Sequence, residues 1–226
     1  MISRRQIGSI TNYSNTGSGT PIPIGSRSIQ RGSLVVVGFR YENGDTTATV
    51  TDSAGGVWTS YKRFNGNVTS GLAYCWGHPG GSSVSITITL GSSQSFRYAS
   101  VLELSGPDQA DPFVSVNYLT GSEALDGRWI DAPAQSDVIG ALGHFNNSST
   151  VAAVSPNTLL ASQTYQFLFR HDSTGREKRV RHSNGAGNGA LVYIAFRRPR
   201  LLDLAPVLVN VVGSYTLTAD NAAWQF

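Results

Sequence analysis

The chain has 226 residues, long enough to bury a core without disulfides or metals. Only 14% of them are charged, and Ser, Thr, Asn and 25 glycines stand where a helical protein would carry Glu, Lys and Arg on its exposed faces. A net charge of +3 argues against a nucleic-acid binder, and the single cysteine, Cys75, excludes an intrachain disulfide and reads as a small buried hydrophobe.

In chain order, Met1 to Gln6 carries Arg4 and Arg5 with no apolar stretch behind them, so no secretory signal is expected. Leu34 to Phe39 is an unbroken apolar run between Gly32 and the turn residues Asn43-Gly44-Asp45, the pattern of a central strand covered on both faces. Strands follow at 46–51 and 57–63, separated by Asp52-Ser53-Ala54-Gly55-Gly56, a hairpin loop whose glycines suit positive φ. Another is expected at 71–76, followed by a turn at His78-Pro79-Gly80-Gly81. Ser83 to Leu90 alternates hydroxyl and apolar residues strictly, which predicts a half-buried strand with one wet face. Gly91-Ser92-Ser93 reads as the next turn, and strands are expected at 96–104, 113–119, 138–145, 165–170 and 190–197. No window keeps a 3.6-residue period, and 132–135 holds at most one helical turn. The prediction is an all-β, antiparallel two-sheet β-sandwich over 1–198. An apolar extension over 199–226 is interrupted by Asp203, Pro206 and Asn210 and is too broken to span a bilayer. Such a tail cannot form its own core. Its residues Leu201, Leu202, Leu204, Val207, Tyr215, Leu217, Trp224 and Phe226 are the expected assembly contacts.

Candidate chemistry is sparse. The histidines His78, His144, His171 and His182 have no metal-pair spacing, no Gly-x-Ser-x-Gly elbow occurs, and neither a cofactor nor a catalytic residue is implied. Glu103 interrupts the apolar run Val101-Leu102-Glu103-Leu104. It shares a face with Ala99 and Val101, and Arg97 on that face is its expected partner. The acids Asp108, Asp111, Glu123, Asp126 and Asp131 follow in loops. Arg170, Arg176, Lys178, Arg179 and Arg181, broken by Asp172 and Glu177, form the densest basic cluster. Gly175 marks it as a hairpin tip, and its two readings are a contact for an acidic glycan or partner and a set of charges that keeps an edge soluble. Trp58, Tyr61, Tyr74, Trp76, Phe96 and Tyr98 fall on neighbouring strands, as core or as a sugar-binding face.

Asp52-Ser53-Ala54-Gly55-Gly56-Val57-Trp58-Thr59 resembles the hairpin of a jelly-roll-like module of tailed-bacteriophage structural proteins, with Gly56 and Val57 replacing the more usual Asn and Thr. The preceding strand of that module is matched by Gly32 to Arg40. Its later strands are matched by Leu72 to Trp76 and Val84 to Ile88, and a strand end by Val101-Leu102-Glu103-Leu104-Ser105-Gly106. Gly213-Ser214-Tyr215-Thr216-Leu217-Thr218 is similar to the ending of many phage tail-associated proteins, with Ala219 where a final Gly is usual. The resemblance spans about residues 20–120 and more faintly to 197. It implies a non-enzymatic virion protein, made in the host cytoplasm. Tail fibre or baseplate is the expected place, with capsid decoration and a free carbohydrate-binding module as alternatives. The implied partners are other virion proteins, further copies of the chain (a trimer by resemblance) and host surface polysaccharide. A polysaccharide-cleaving enzyme using acids near Glu103 is the one catalytic alternative.

Overall fold

The computed structural model describes residues 6–105, 112–121, 129–130, 136–144, 152–153, 157–163, 166–171, 178–179, 182–183 and 189–198. Strands account for most of them, and no helix occurs among the described residues. The first seven are β1 (Gln6–Asn15), β2 (Gly19–Ile29), β3 (Leu34–Glu42), β4 (Ala48–Asp52), β5 (Thr59–Asn65), β6 (Val68–Cys75) and β7 (Gly81–Ser105). Nine more follow: β8 (Phe113–Gly121), β9 (Trp129–Ile130), β10 (Ser136–His144), β11 (Ala152–Ala153), β12 (Asn157–Gln163), β13 (Gln166–His171), β14 (Lys178–Arg179), β15 (His182–Ser183) and β16 (Gly189–Arg197).

All pairings are antiparallel, and the strands form two main sheets packed face to face, the sandwich that the sequence predicts. The seven-stranded sheet runs β1-β7-β3-β6-β5 and then curls back on itself. The second half of β7 pairs β1 and β3, while its first half (81–90) pairs β2 and β4. The five-stranded sheet runs β12-β13-β10-β16-β8.

The alternation of β3 explains its position. Val35, Val37, Phe39 and Tyr41 enter a core inside the curl with Ile22, Ile24, Val50, Ile86 and Ile88. Leu34 and Val36 point the other way, into a core shared with Ile139, Leu168, Val192, Ile194 and Phe196 of the second sheet. Every residue of β3 is buried, as expected for a strand covered on both faces. The five-stranded sheet is also buried on its far side, where Val138, Leu142, Leu191, Tyr193 and Ala195 form a third cluster.

The two halves share one topology. Relabelling β1, β7, β3, β6 and β5 as β8, β16, β10, β13 and β12 converts the first five-strand order into the second. The outer strands correspond as well. β2 and β4 pair the first half of β7, and in the second half of the chain β9 pairs β14 and β11 pairs β15, each at the matching place in the chain order. Two units, 6–105 and 113–198, therefore stand back to back.

Like strands meet at their junction: β3 packs on β10, and β5 packs on β8 as β1 packs on β12. Gly38 on β3 and Ala141 on β10 face each other there. These two positions meet: a Cβ on Gly38 would stand 3.3 Å from the Ala141 Cβ. Two residues further along both strands, Arg40 and Gly143 meet as well, with Arg40 Cγ 2.7 Å from where a Gly143 Cβ would lie. Asn65, the last residue of β5, donates to the Gly189 carbonyl (2.9 Å), and Gln163, the last residue of β12, donates to the Ala99 carbonyl (2.9 Å). Contact between like strands is the signature of a self-complementary interface.

Three expectations need correction. Gly91-Ser92-Ser93 is not a turn but an interior stretch of β7, where the strand leaves its β4 partner and enters the main sheet. Gly91 donates to the Thr47 carbonyl there, and Phe96 takes φ +46°. β1 and β2 were unexpected because β1 is polar and β2 carries Pro21 and Pro23. Prolines fit because β2 is an edge strand, with no partner beyond β7 to miss an N–H. β12 was hidden by a register shift between Leu159 and Ala161. The expected assembly residues of 199–226 and the helical turn at 132–135 lie outside the described residues.

Candidate functional site

The hairpin loop after β4 and the turn after β6 meet at one carboxylate. Asp52 Oδ1 accepts from the amides of Ala54 (2.7 Å) and Gly56 (3.1 Å), and Oδ2 accepts from the Trp58 indole N–H (2.6 Å). An Asp that folds the following residues back onto its own side chain is the usual way such a loop is fixed. Gly55 takes φ +79°, as expected, whereas Gly56 is required for another reason. A Cβ there would run into Asp52 Oδ2, with Cys75 Sγ 3.0 Å away.

His78 is fully buried beside this carboxylate, its Nε2 3.3 Å from Asp52 Oδ2 without hydrogen-bond alignment. Its Nδ1 accepts from the Gly80 amide (2.9 Å), which assigns the ring proton to Nε2. Burial works against ionisation of Asp52. The Trp58, Gly56 and Ala54 donors and the neighbouring His78 outweigh it and hold the carboxyl below its ordinary value.

Asp52, His78 and Cys75 surround Gly56, yet the geometry is not that of an activated thiol. Both imidazole nitrogens are turned to other groups, and burial followed by the Asp52 charge pushes the Cys75 thiol up to about 11. Cys75 is 1% exposed, in keeping with its expected role as a core hydrophobe. Among the described residues no group of three or more His, Cys, Asp or Glu is placed to hold a metal ion.

Glu103 is also a knot of the scaffold. Its Oε1 accepts from the Gln30 amide (2.7 Å) and the Ser33 hydroxyl (2.7 Å), which ties the end of β7 to the turn between β2 and β3. Arg27 lies within reach of its charge and donates to the Val101 carbonyl (3.0 Å). The expected Arg97 partner is wrong: six residues apart along a strand, the two side chains stand about 20 Å from each other. Arg97 instead donates to the carbonyls of Gly17 and Pro21.

Two further charged groups are buried at the junction of the units, and sequence reasoning missed both. Arg40 donates to the Phe96 carbonyl (2.7 Å), pairs with Glu42 and lies 5.6 Å from the Tyr98 ring centre. Asp137 accepts from Arg170 (2.6 Å) and faces Arg198 Nε at 3.3 Å. No signal in either strand sequence distinguishes them from solvated charges.

The aromatic residues do not share one face. Trp58 packs on the core inside the curl, whereas Tyr61, Phe113 and Tyr74 stack between the units and Phe196 meets Tyr74 edge-on. Tyr98 is buried, Phe96 is partly so, and Trp76 is 38% exposed. Of the basic cluster, Arg170 does not join an exposed patch but is buried in its ion pair with Asp137, while Lys178 and Arg179 form β14, opposite Ile130 and Trp129. Arg176 and Arg181 lie outside the described residues, as do Asp108, Asp111, Glu123, Asp126 and Asp131.

No family model, curated protein or solved structure matches the chain. No helix among the described residues is long and apolar enough to cross a membrane.

Proposed function

We propose that the chain is a non-enzymatic structural protein of a tailed-phage virion, exposed on the tail fibre or baseplate and facing the receptor. One observation carries this reading: Asp52, Trp58 and Glu103, polar residues of the motifs behind the resemblance, are engaged in holding strands and loops. Asp52 and Trp58 close the hairpin loop, and Glu103 fastens β7 to the start of β3. A reaction needs a charged or nucleophilic group left accessible to substrate, whereas a surface module needs a stiff block with a neutral, hydrated exterior. The outer side of the curl has that character. Ser83, Ser85 and Thr89 are exposed, and Val84, Ile86, Ile88 and Leu90 are buried between them. The apolar 199–226 extension supports docking to other copies or other virion proteins.

Antibodies against the chain, applied to phage particles released from cells that carry its coding sequence, test the placement by electron microscopy. Label at the tail tip is expected. Label spread over the capsid would make the protein a decoration protein, and particles without label would overturn the virion reading. The role of the extension is checked by the solution mass of the full chain beside a version ending at Pro199. The full chain is expected to assemble and the shorter one to be monomeric, and equal masses would remove the extension from assembly.

A further inference from the structure

Single hydrophobic residues are scattered over the surface of most proteins, so it is their clustering that carries information. Among the described residues four large hydrophobics are exposed: Ile7, Val57, Trp76 and Tyr118. Val57 and Trp76 are neighbours. Thr59 pairs with Tyr74 across β5 and β6, two positions short of them, and the Val57 backbone hydrogen-bonds Cys75. From Ser53 to Trp58 and from Trp76 to Gly80 no exposed residue is charged. Ile7 lies at the same end of the sheet, because it pairs with Leu104, Leu104 with Leu34, and the next residue, Val35, with Cys75. Tyr118 stands apart, opposite Val192 midway along β16.

The chain leaves the second unit at that same end. Asn65, which pairs with Val68 at the start of β6, donates to Gly189 at the start of β16, and Tyr74 meets Phe196 near the end of both strands (5.3 Å). β6 and β16 therefore run side by side in one direction, and Trp76 and Arg198, each two residues further on, lie at one end of the block. We infer that the surface of Val57 and Trp76 receives the apolar extension of a second copy of this chain, through Leu201, Leu202 and Leu204. In the single chain Val57 is 83% exposed and Trp76 38%, so their cover comes from outside it. Patch and extension share one end, so two copies that meet there about a two-fold axis exchange extensions, and the contact closes on itself. An extended stretch from Pro199 to Val212 spans about 45 Å, enough to cross to a neighbour. A Trp at the centre of such a contact is the side chain whose burial contributes most. The inference rests on the assembly role proposed above for the extension and names the surface that receives it.

Light scattering of the full chain over a range of concentrations tests the site. The dissociation constant of the assembly is expected to rise at least tenfold in Val57→Ser/Trp76→Ser and to stay unchanged in Tyr118→Ser. Undiminished assembly of the double variant would overturn the site and leave the extension its role, whereas equal masses of the full chain and the version ending at Pro199 would remove that role itself. Hydroxyl-radical labelling read by mass spectrometry needs no variant. Labelling of Val57 and Trp76 is expected to fall several-fold as the full chain assembles and to recover on dilution, with Tyr118 constant throughout. Protection that persists in the diluted monomer would assign the patch to the chain's own extension, and labelling indifferent to assembly would leave the patch uncovered. Either result contradicts the inference.

Discussion

The two units are built on the same five-strand order but finish differently. The first has a full outer layer of long strands, with β2 and β4 against residues 81–90, around a core of aliphatic side chains. Among its described residues the second has ladders of two residue pairs each at the corresponding places in chain order. What they share is a set of apolar positions on the back of each five-stranded sheet: Val36 pairs with Leu102 as Ile139 pairs with Ile194, and Leu72 and Leu168 join them in the common core. The comparison teaches that strand order follows from the packed face, which both units keep although the outer strands differ in sequence and charge.

Cutting into either core gives the largest effects. Phe39→Ala empties space inside the first unit and Phe196→Ala between the units, both from fully buried positions. Each is expected to cost about 3–5 kcal/mol. If the shared core binds the units into one block, both variants shift a single unfolding transition in denaturant. Separate transitions would show that each half folds on its own.

A smaller effect, and one confined to the first unit, is expected of Asp52→Asn. It removes the charge that three donors and His78 stabilise, at about 1–3 kcal/mol. Because the folded chain holds the Asp52 carboxyl below its ordinary value of 3.8, ionisation favours folding. That contribution is complete above the ordinary value and is lost as pH falls through the lower folded one. Thermal midpoints of the native chain should therefore fall more steeply in acid than those of Asp52→Asn. Parallel curves would remove Asp52 from the account.

The smallest effect is expected from giving the first outer layer the charge of the second. Ser83→Lys with Thr89→Lys, both at exposed positions, should change stability by no more than about 0.5 kcal/mol. A loss of several kcal/mol by thermal unfolding would mean that outer-layer charge is constrained by the fold after all.

Much of the fold was legible, because β-strands write their burial into a two-residue period. The strict alternation of Ser83 to Leu90 and the solid apolar run of Leu34 to Phe39 each identified a strand and its exposure. The repeat was not legible. The corresponding strands share only apolar character, and Gly38 meets Ala141 and Arg40 meets Gly143 through spatial packing alone. Glu103 stood out as a charge inside an apolar strand, but its partners, Ser33 and the Gln30 amide, come from a distant turn that strand spacing cannot reveal. The Asp52 loop was half legible. Asp followed by Ala-Gly-Gly announces a side chain bonded to its own loop, whereas nothing in the sequence announces His78 beside it.

The back-to-back arrangement is tested most directly at its axis. In a Cys75→Ala background, Gly38→Cys and Ala141→Cys put two thiols on β carbons that would stand 3.3 Å apart, close to disulfide reach. Mild oxidation followed by mass spectrometry of the intact chain should find the 38–141 disulfide formed within single molecules. Free thiols in the folded protein, or cross-links only between molecules, would contradict the contact of the central strands on which the two-unit account stands.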